Sequence, residues 1–530
     1  MSGADAAWLQ MDEPTNLMSI TAALTLARCP SPEALAEAVE RLVARQPGLC
    51  RRAAPARFPL GGAAWVEDPD FRVDRHITVR DTPAPGGEAG LRALAGDRIS
   101  RPLPQTRPPW QLVLTRHEDG SGALLLCAHH SLMDSSAAMS LLLSLTDSPP
   151  GDARDEAHTP DSGALTKLMS TTADTPTVLR GILGTVKRAA LSEPVPVADA
   201  RWAAAALNTT VVGALLAAAT GALRTYLEGR ASLVESIGAF AQVDLRPLGA
   251  TAATGNRFGL SHVNLPVGRI GPRERVEALR EQGFAPDIEP PMIADFALLA
   301  TLGRAPAAVE RLVMSFFGAR ASAALVEHSG GPDDLTLCGE AVTGAALWPA
   351  RAGGLGLGLG LVQLAGQARL SVVTDASLVP DPQAIADGFV AAFEELMALA
   401  PAGVALEIPD EPTVELPAED AGFEAAVDLL DELAADAPTA AEAPPEQAAP
   451  APVAEQPASV DVRCAGTTKA GKPCRGRPVT GSDYCRMHQP AEPEPVDPEP
   501  WRCAGLTRAG TRCKRRVKGG ATRCAAHSQA

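Results

Sequence analysis

Between Glu407 and Val460 the chain carries 14 Asp and Glu residues and not one Lys or Arg. Much of the rest of that segment is Ala and Pro, as in PTAAEAPPEQAAPAPVAEQPAS. Such a composition cannot bury enough apolar surface to offset the entropy of ordering, so residues 405–460 are expected to be a disordered linker. That expectation limits any large core to the residues before it. It also divides the charge. The net value of −16 separates into −10 over the first 406 residues, −14 over the linker, and +8 over 461–530, where 14 Lys and Arg face 6 Asp and Glu. The acidic body argues against a nucleic-acid binder. The basic tail leaves polyanions open: nucleic acid, anionic lipid headgroups, or the chain's own acidic linker.

The tail holds a duplicated module. Cys464, Cys474, Cys485 and His488 are spaced C-x9-C-x10-C-x2-H, and Cys503, Cys513, Cys524 and His527 repeat that spacing without change. Three thiolates and one imidazole suit a closed tetrahedral Zn²⁺ site. A module this short has almost no core, so a metal would supply its folding energy, on the order of 10–16 kcal/mol in zinc-finger peptides. Two structural zinc ions are therefore expected, one in 461–490 and one in 501–528, with disulfides as the alternative. The N-terminal segment MSGADAAWLQMDEPTN has no basic region followed by an apolar run, so no secretory signal is expected. The reducing cytoplasm is then the expected compartment, and it favours zinc. The tail resembles small Cys₃His modules appended to varied bacterial proteins.

The first 404 residues mix helix and strand signals, which predicts an α/β (α+β) body. Ser31 and Pro32 open a helical run with Leu35, Ala38, Val39, Leu42 and Val43 on one face. RVDRHITVRD alternates like a strand, and Ala123–Cys127 reads as a fully buried one. SAAMSLLLSL follows as a helix. Residues 1–150 form a first half, 151–197 a connection, and 198–404 a second half. Ala203–Leu223 has no charged residue but contains Asn208, Thr209, Thr210 and Thr220, so a buried helix is expected instead of a membrane span. The glycine-leucine run Gly353–Gly366 lacks the Lys-Ser/Thr of a phosphate loop and reads as a strand.

CAHHSLMDSSAAM places His129, His130, Asp134 and Ser135 between the buried strand and the next helix. Neighbouring strand residues face opposite ways, so only one histidine can address a given pocket. A histidine held there suits base catalysis near neutral pH. Asp134 can lock the turn or pair with an Arg, and Ser135 is a candidate N-cap. No GxSxG elbow occurs, which argues against a serine hydrolase.

The motif and its surroundings resemble the bacterial wax ester synthase/diacylglycerol acyltransferase family, whose hallmark is HHxxxDG. ADAAWLQMDEPTNLMSI resembles that family's DAxFLxxExPxxPMHV opening. RPLPQTRPPWQL resembles RPLDxxRPLWE, and LNTTVVGALLAAATGALRTYL resembles NDVVLAxxxGALRxYL. VDLRP with the following GNRFG resembles VPVSLRP…GNR, and EHSGGPDDLTLCGEAVTGA resembles SNVPGPxxPLxLAGAxVxG. These elements run in order from about Ala4 to about Leu399. Ser135 replaces the motif glycine, Thr209 the Asp of the Asn-Asp pair, Pro109 the Leu before Trp, and Glu327-His328 the Ser-Asn. These departures bear on substrate range.

The resemblance implies two chloramphenicol acetyltransferase-like halves with a catalytic histidine at a tunnel between them. It makes His130 the general base, His129 a structural or positioning residue, Asp134 the residue that holds the loop and the imidazole by packing, and Asn208 a donor or positioning group. It implies an acyl-CoA donor and a fatty alcohol or diacylglycerol acceptor, with no cofactor for the chemistry. Both products are insoluble, so the work is expected at the inner membrane or a lipid droplet, peripherally. Condensation domains of peptide synthetases, which take carrier-protein thioesters, share HHxxxDG. A degenerate fold serving as a binding protein is a third possibility.

Overall fold

The structure is a computed structural model that describes residues 1–54, 63–148, 172–246, 255–285, 292–294 and 307–399. The acidic segment and both cysteine modules lie outside the described residues. In chain order the first elements are α1 (Gly3–Gln10), β1 (Ser19–Leu26), α2 (Pro32–Arg45), β2 (Arg51–Ala54), β3 (Ala64–Glu67), β4 (Ile77–Asp81), α3 (Gly87–Ile99), β5 (Trp110–Arg116), β6 (Gly122–His129) and α4 (Ser135–Leu143). Next come β7 (Lys187–Leu191), β8 (Val195–Pro196), α5 (Val197–Ala206), α6 (Val211–Glu228), β9 (Ile237–Asp244), β10 (Phe258–Leu265), α7 (Pro272–Arg280) and β11 (Met292–Ala294). The last are α8 (Ala307–Gly318), β12 (Ala323–Ser329), β13 (Thr336–Leu337), β14 (Glu340–Trp348), β15 (Leu357–Leu364), β16 (Gln367–Asp375) and α9 (Gln383–Met397).

Two sheets organise these elements. One has strand order β13-β14-β1-β6-β5-β4, and the other β11-β10-β9-β12-β15-β16-β7, with β8 paired to β16. The apolar run in β6 is buried throughout because helices cover both faces of the first sheet. Leu124, Leu126 and Ala128 join the core under α2 and α4. Ala123 and Leu125 join Leu91, Leu94, Ala95 and Ile99 of α3 on the opposite face. In α2 the buried stripe is Leu35, Ala38, Val39 and Leu42, and the Ser31 hydroxyl accepts from the Ala34 N–H.

The halves are interleaved. Strand β14 belongs to the second half in sequence but pairs with β1, with Ala23 opposite Ala346. The 151–197 connection contributes β7 and β8 to the second sheet. The glycine-leucine run is β15, as expected. Leu357, Leu359 and Leu361 fill the second-half core. The glycines face the other way, where a β-carbon at Gly360 would collide with the carbonyl of Leu347 on β14. Small residues there let one sheet's strand cross close over the other's. RVDRHITVRD differs from the expected single strand: Val73–Arg75 is a short 3₁₀ turn, and only Ile77–Asp81 pairs.

The uncharged stretch Ala203–Leu223 is broken. Helices α5 and α6 meet at 96°, and among the described residues no single helix is long and apolar enough to cross a membrane. A third apolar cluster joins the halves, with Ala4, Trp8 and Met18 from the first packing against Phe240, Phe258, Phe317 and Leu355 from the second.

Candidate active site

The chain leaves β6 at His129 and turns through Ser131–Asp134 into α4. The His130 N–H donates to the Met18 carbonyl (2.7 Å), which fixes the backbone, and the side chain is fully buried. Its ring lies flat on the indole of Trp8, with centroids 3.7 Å apart and planes 11° apart. Phe258 packs beside both rings, 5.6 Å from the imidazole and 6.1 Å from the indole. Burial among these rings pushes the imidazole down to about 4, although the nearby Asp134 charge acts the other way. His130 is therefore neutral at pH 7.

Its tautomer follows from its neighbours. The Asn256 Nδ2 group donates both to Asp5 Oδ1 (2.9 Å) and to the His130 carbonyl (2.8 Å). That orients the Asn256 amide, so Oδ1 must accept from His130 Nδ1–H at 2.9 Å. The lone pair is left on Nε2, where the Gln242 amide donates at 3.2 Å. Asp5, Asn256 and His130 thus form a chain in which a buried carboxylate orients an amide and the amide orients the imidazole. Asn256 reaches the site because Gly255 takes a φ of +118°, open to glycine, while its N–H donates to Leu132 (2.7 Å) on the histidine turn.

Asp134 does not touch the imidazole. It is the N-cap of α4, accepting from the Ala137 N–H at 2.9 Å, so the cap expected at Ser135 belongs to Asp134 and Ser135 is the first helical residue. Its two oxygens also receive Arg246 Nη1 (2.9 Å) and Nη2 (2.6 Å), and the Arg257 N–H donates to Oδ2 at 2.8 Å. The motif aspartate therefore ties the turn to the strand end at β9 and the loop before β10. His129 points to the other face, where its Nδ1 accepts from the Ser131 N–H (3.1 Å) and its Nε2 lies 3.5 Å from Asp12.

Asn208 is not brought to this cluster. It sits exposed between α5 and α6 at a φ of +51°, with no hydrogen bond to His130 among the described residues. Of the motif departures, Thr209 is buried and donates to the Phe284 carbonyl (2.6 Å), and the Pro109 carbonyl receives the His129 N–H (2.9 Å). Glu327 and His328 lie on β12. Asp5, Trp8, Gln242, Arg246 and Asn256 were not singled out from the sequence. All five lie in segments quoted above or beside them, but nothing local in those segments marks a site. No group of three or more His, Cys, Asp or Glu able to hold a metal occurs among the described residues. The eight cysteine and histidine ligands expected in the tail lie outside them.

Two interleaved sheets of this kind define a fold shared with solved condensation domains. The first condensation domain of the calcium-dependent antibiotic synthetase matches 77% of this chain and 98% of its own at a TM-score of 0.50 and 15% identity. The wax ester synthase/diacylglycerol acyltransferase from Marinobacter aquaeolei VT8 matches 75% of this chain and 98% of its own at 0.56 and 19%. Residues 1–244 match the model of the wax ester synthase/diacylglycerol acyltransferase catalytic domain, and 254–397 match the WS/DGAT C-terminal domain. The chain belongs to that family.

Relatives in Mycobacterium tuberculosis H37Rv include one designated a probable diacylglycerol O-acyltransferase, tgs1. It is 27% identical over 263 residues, which is 42% of this chain and 57% of the relative. A second, also designated a diacylglycerol O-acyltransferase, is 26% identical over 400 residues, 65% of this chain and 80% of its own. The chain thus spans little more than half the length of the first of these relatives.

Proposed function

We propose that this chain is an O-acyltransferase that moves a long-chain acyl group from acyl-CoA to the hydroxyl of a fatty alcohol or a diacylglycerol, giving wax ester or triacylglycerol. The observation that carries the reading is His130, which is buried and neutral and is held with its proton on Nδ1 so that Nε2 is basic. The acceptor hydroxyl gives its proton to Nε2 as its oxygen attacks the thioester carbon. The tetrahedral intermediate then collapses, the carbon–sulfur bond breaks, and the imidazolium returns the proton to the leaving thiolate. Such general acid–base help is worth roughly 10²–10⁴-fold. Alignment of two substrates in a dry site supplies the rest. The fully satisfied Asp5–Asn256–His130 chain speaks against a degenerate, non-catalytic protein.

The test is purified protein with labelled palmitoyl-CoA and hexadecanol or a diacylglycerol. Labelled product that disappears in His130→Ala supports the reading, and no transfer to any alcohol by folded protein refutes it. Insoluble products place the work at a lipid surface, peripheral to the inner membrane or a droplet on the cytoplasmic side. The tail is assigned two structural zinc ions, held by Cys464, Cys474, Cys485 and His488 and by Cys503, Cys513, Cys524 and His527. Its positive charge would meet a polyanion or the acidic linker.

A further inference from the structure

The base alone does not account for two donors beside it. Gln242 projects from β9 so that its Nε2 lies 3.2 Å from His130 Nε2. The indole N–H of Trp8, on the ring stacked against His130, is buried and finds no acceptor among the described residues. A buried donor without a partner costs about 1–3 kcal/mol, so its retention at a reacting centre calls for an acceptor that arrives with the substrate.

His130 Nε2 offers one in-plane lone pair. The Gln242 amide occupies it in the resting site, and the acceptor hydroxyl must occupy it for the reaction. The two cannot donate to it together. When the alcohol binds, the amide is displaced but stays within reach of the same atoms. Gln242 is only partly buried, which leaves its side chain room to turn. The oxyanion forms on the thioester's carbonyl oxygen, bonded to the carbon that the alcohol oxygen has just attacked and so two bonds from the atom facing Nε2. On the acyltransferase reading above, we propose that Gln242 Nε2–H and Trp8 Nε1–H are the donors that receive the thioester oxyanion, and that Gln242 caps the base until the acceptor arrives.

Both donors should act on the transition state more than on the ground state, so their loss should appear in kcat and not in KM. The variants are Gln242→Met, close in shape but without a donor, and Trp8→Phe, which keeps a stacked ring. Each should lower kcat by about 10²-fold, the lower end for a single oxyanion donor. A second readout does not depend on activity. A donor on the lone pair of Nε2 opposes protonation of His130. An NMR titration of the labelled imidazole in Gln242→Met should therefore show proton affinity raised about fivefold, while Trp8→Phe should not show the rise from a lost cap. An unchanged His130 titration in Gln242→Met overturns the capping role whether or not the protein transfers acyl groups. Active protein in which both variants keep kcat within about twofold overturns the oxyanion role. Wild-type protein without transferase activity would refute the proposed function, and the titration would still decide the cap.

Discussion

Replacing Asn256 by Leu should separate holding the base from being the base. The Asn256 side chain makes three hydrogen bonds of 2.8–2.9 Å: one accepted from His130 Nδ1–H and two donated, to Asp5 and to the His130 carbonyl. In Asn256→Leu the Nδ1 proton loses its acceptor and can move to Nε2, which is then no longer a base. The expected loss in kcat is about 10²–10⁴-fold, the span attributed to general acid–base catalysis. KM should change little, since no substrate contact is removed. Stability should fall too. Two buried acceptors lose their donors at about 1–3 kcal/mol each. The assay is acyl transfer from labelled palmitoyl-CoA, with urea denaturation of the same preparation. A folded Asn256→Leu protein with wild-type kcat would refute the tautomer lock, and with it the argument that Nε2 is the reacting nitrogen.

Other outcomes follow from the same contacts. The imidazole of His130 is pushed down to about 4, so kcat/KM should rise with pH through about 4 and level off above it; a limb near the ordinary histidine value of about 6.5 refutes the burial argument. Because the folded value is depressed, this group's contribution to stability is complete above the unfolded value of about 6.5 and is lost as pH falls toward 4. Arg246→Met leaves the buried Asp134 carboxylate without its guanidinium and should cost about 3–5 kcal/mol in denaturant unfolding. Lys187 Nζ, 2.5 Å from buried Asp375 and 2.7 Å from the Thr15 carbonyl, predicts a similar loss in Lys187→Met; the double variant with Asp375→Leu should recover part of it. A chain ending near residue 405 should keep its kcat while losing two bound zinc ions, counted by metal analysis.

Local chemistry was legible and long-range placement was not. The strand–turn–helix around His130 reads from an apolar run followed by polar residues and a second apolar run, and α2 reads from its stripe and Ser31 cap. These signals act over a few residues. Asn256 meets His130 from a sequence distance of 126 residues, and no local pattern encodes that meeting. The same holds for β14, where nothing local in Glu340–Trp348 names β1 as its partner. Asp134 displaced Ser135 as the cap because the helix begins one residue earlier than the motif suggested, so that a carboxylate, also tied to Arg246, accepts from the N-terminal amide. Asn208 carries its family match in sequence but sits exposed in the turn between α5 and α6.

The exchange of β14 into the first sheet has a consequence for how the chain is made. Strand β1 has β6 on one side and β14 on the other. During synthesis its β6 neighbour is available once residue 129 has emerged, but its other edge stays open until residue 348 has done so. Through that interval the nascent chain carries a bare apolar strand edge of the kind that pairs with other chains. The first half is then not a free-standing unit. Its sheet is finished only by the half that follows, which makes this body a single late-closing object and its yield in a cell a matter of what shields that edge meanwhile.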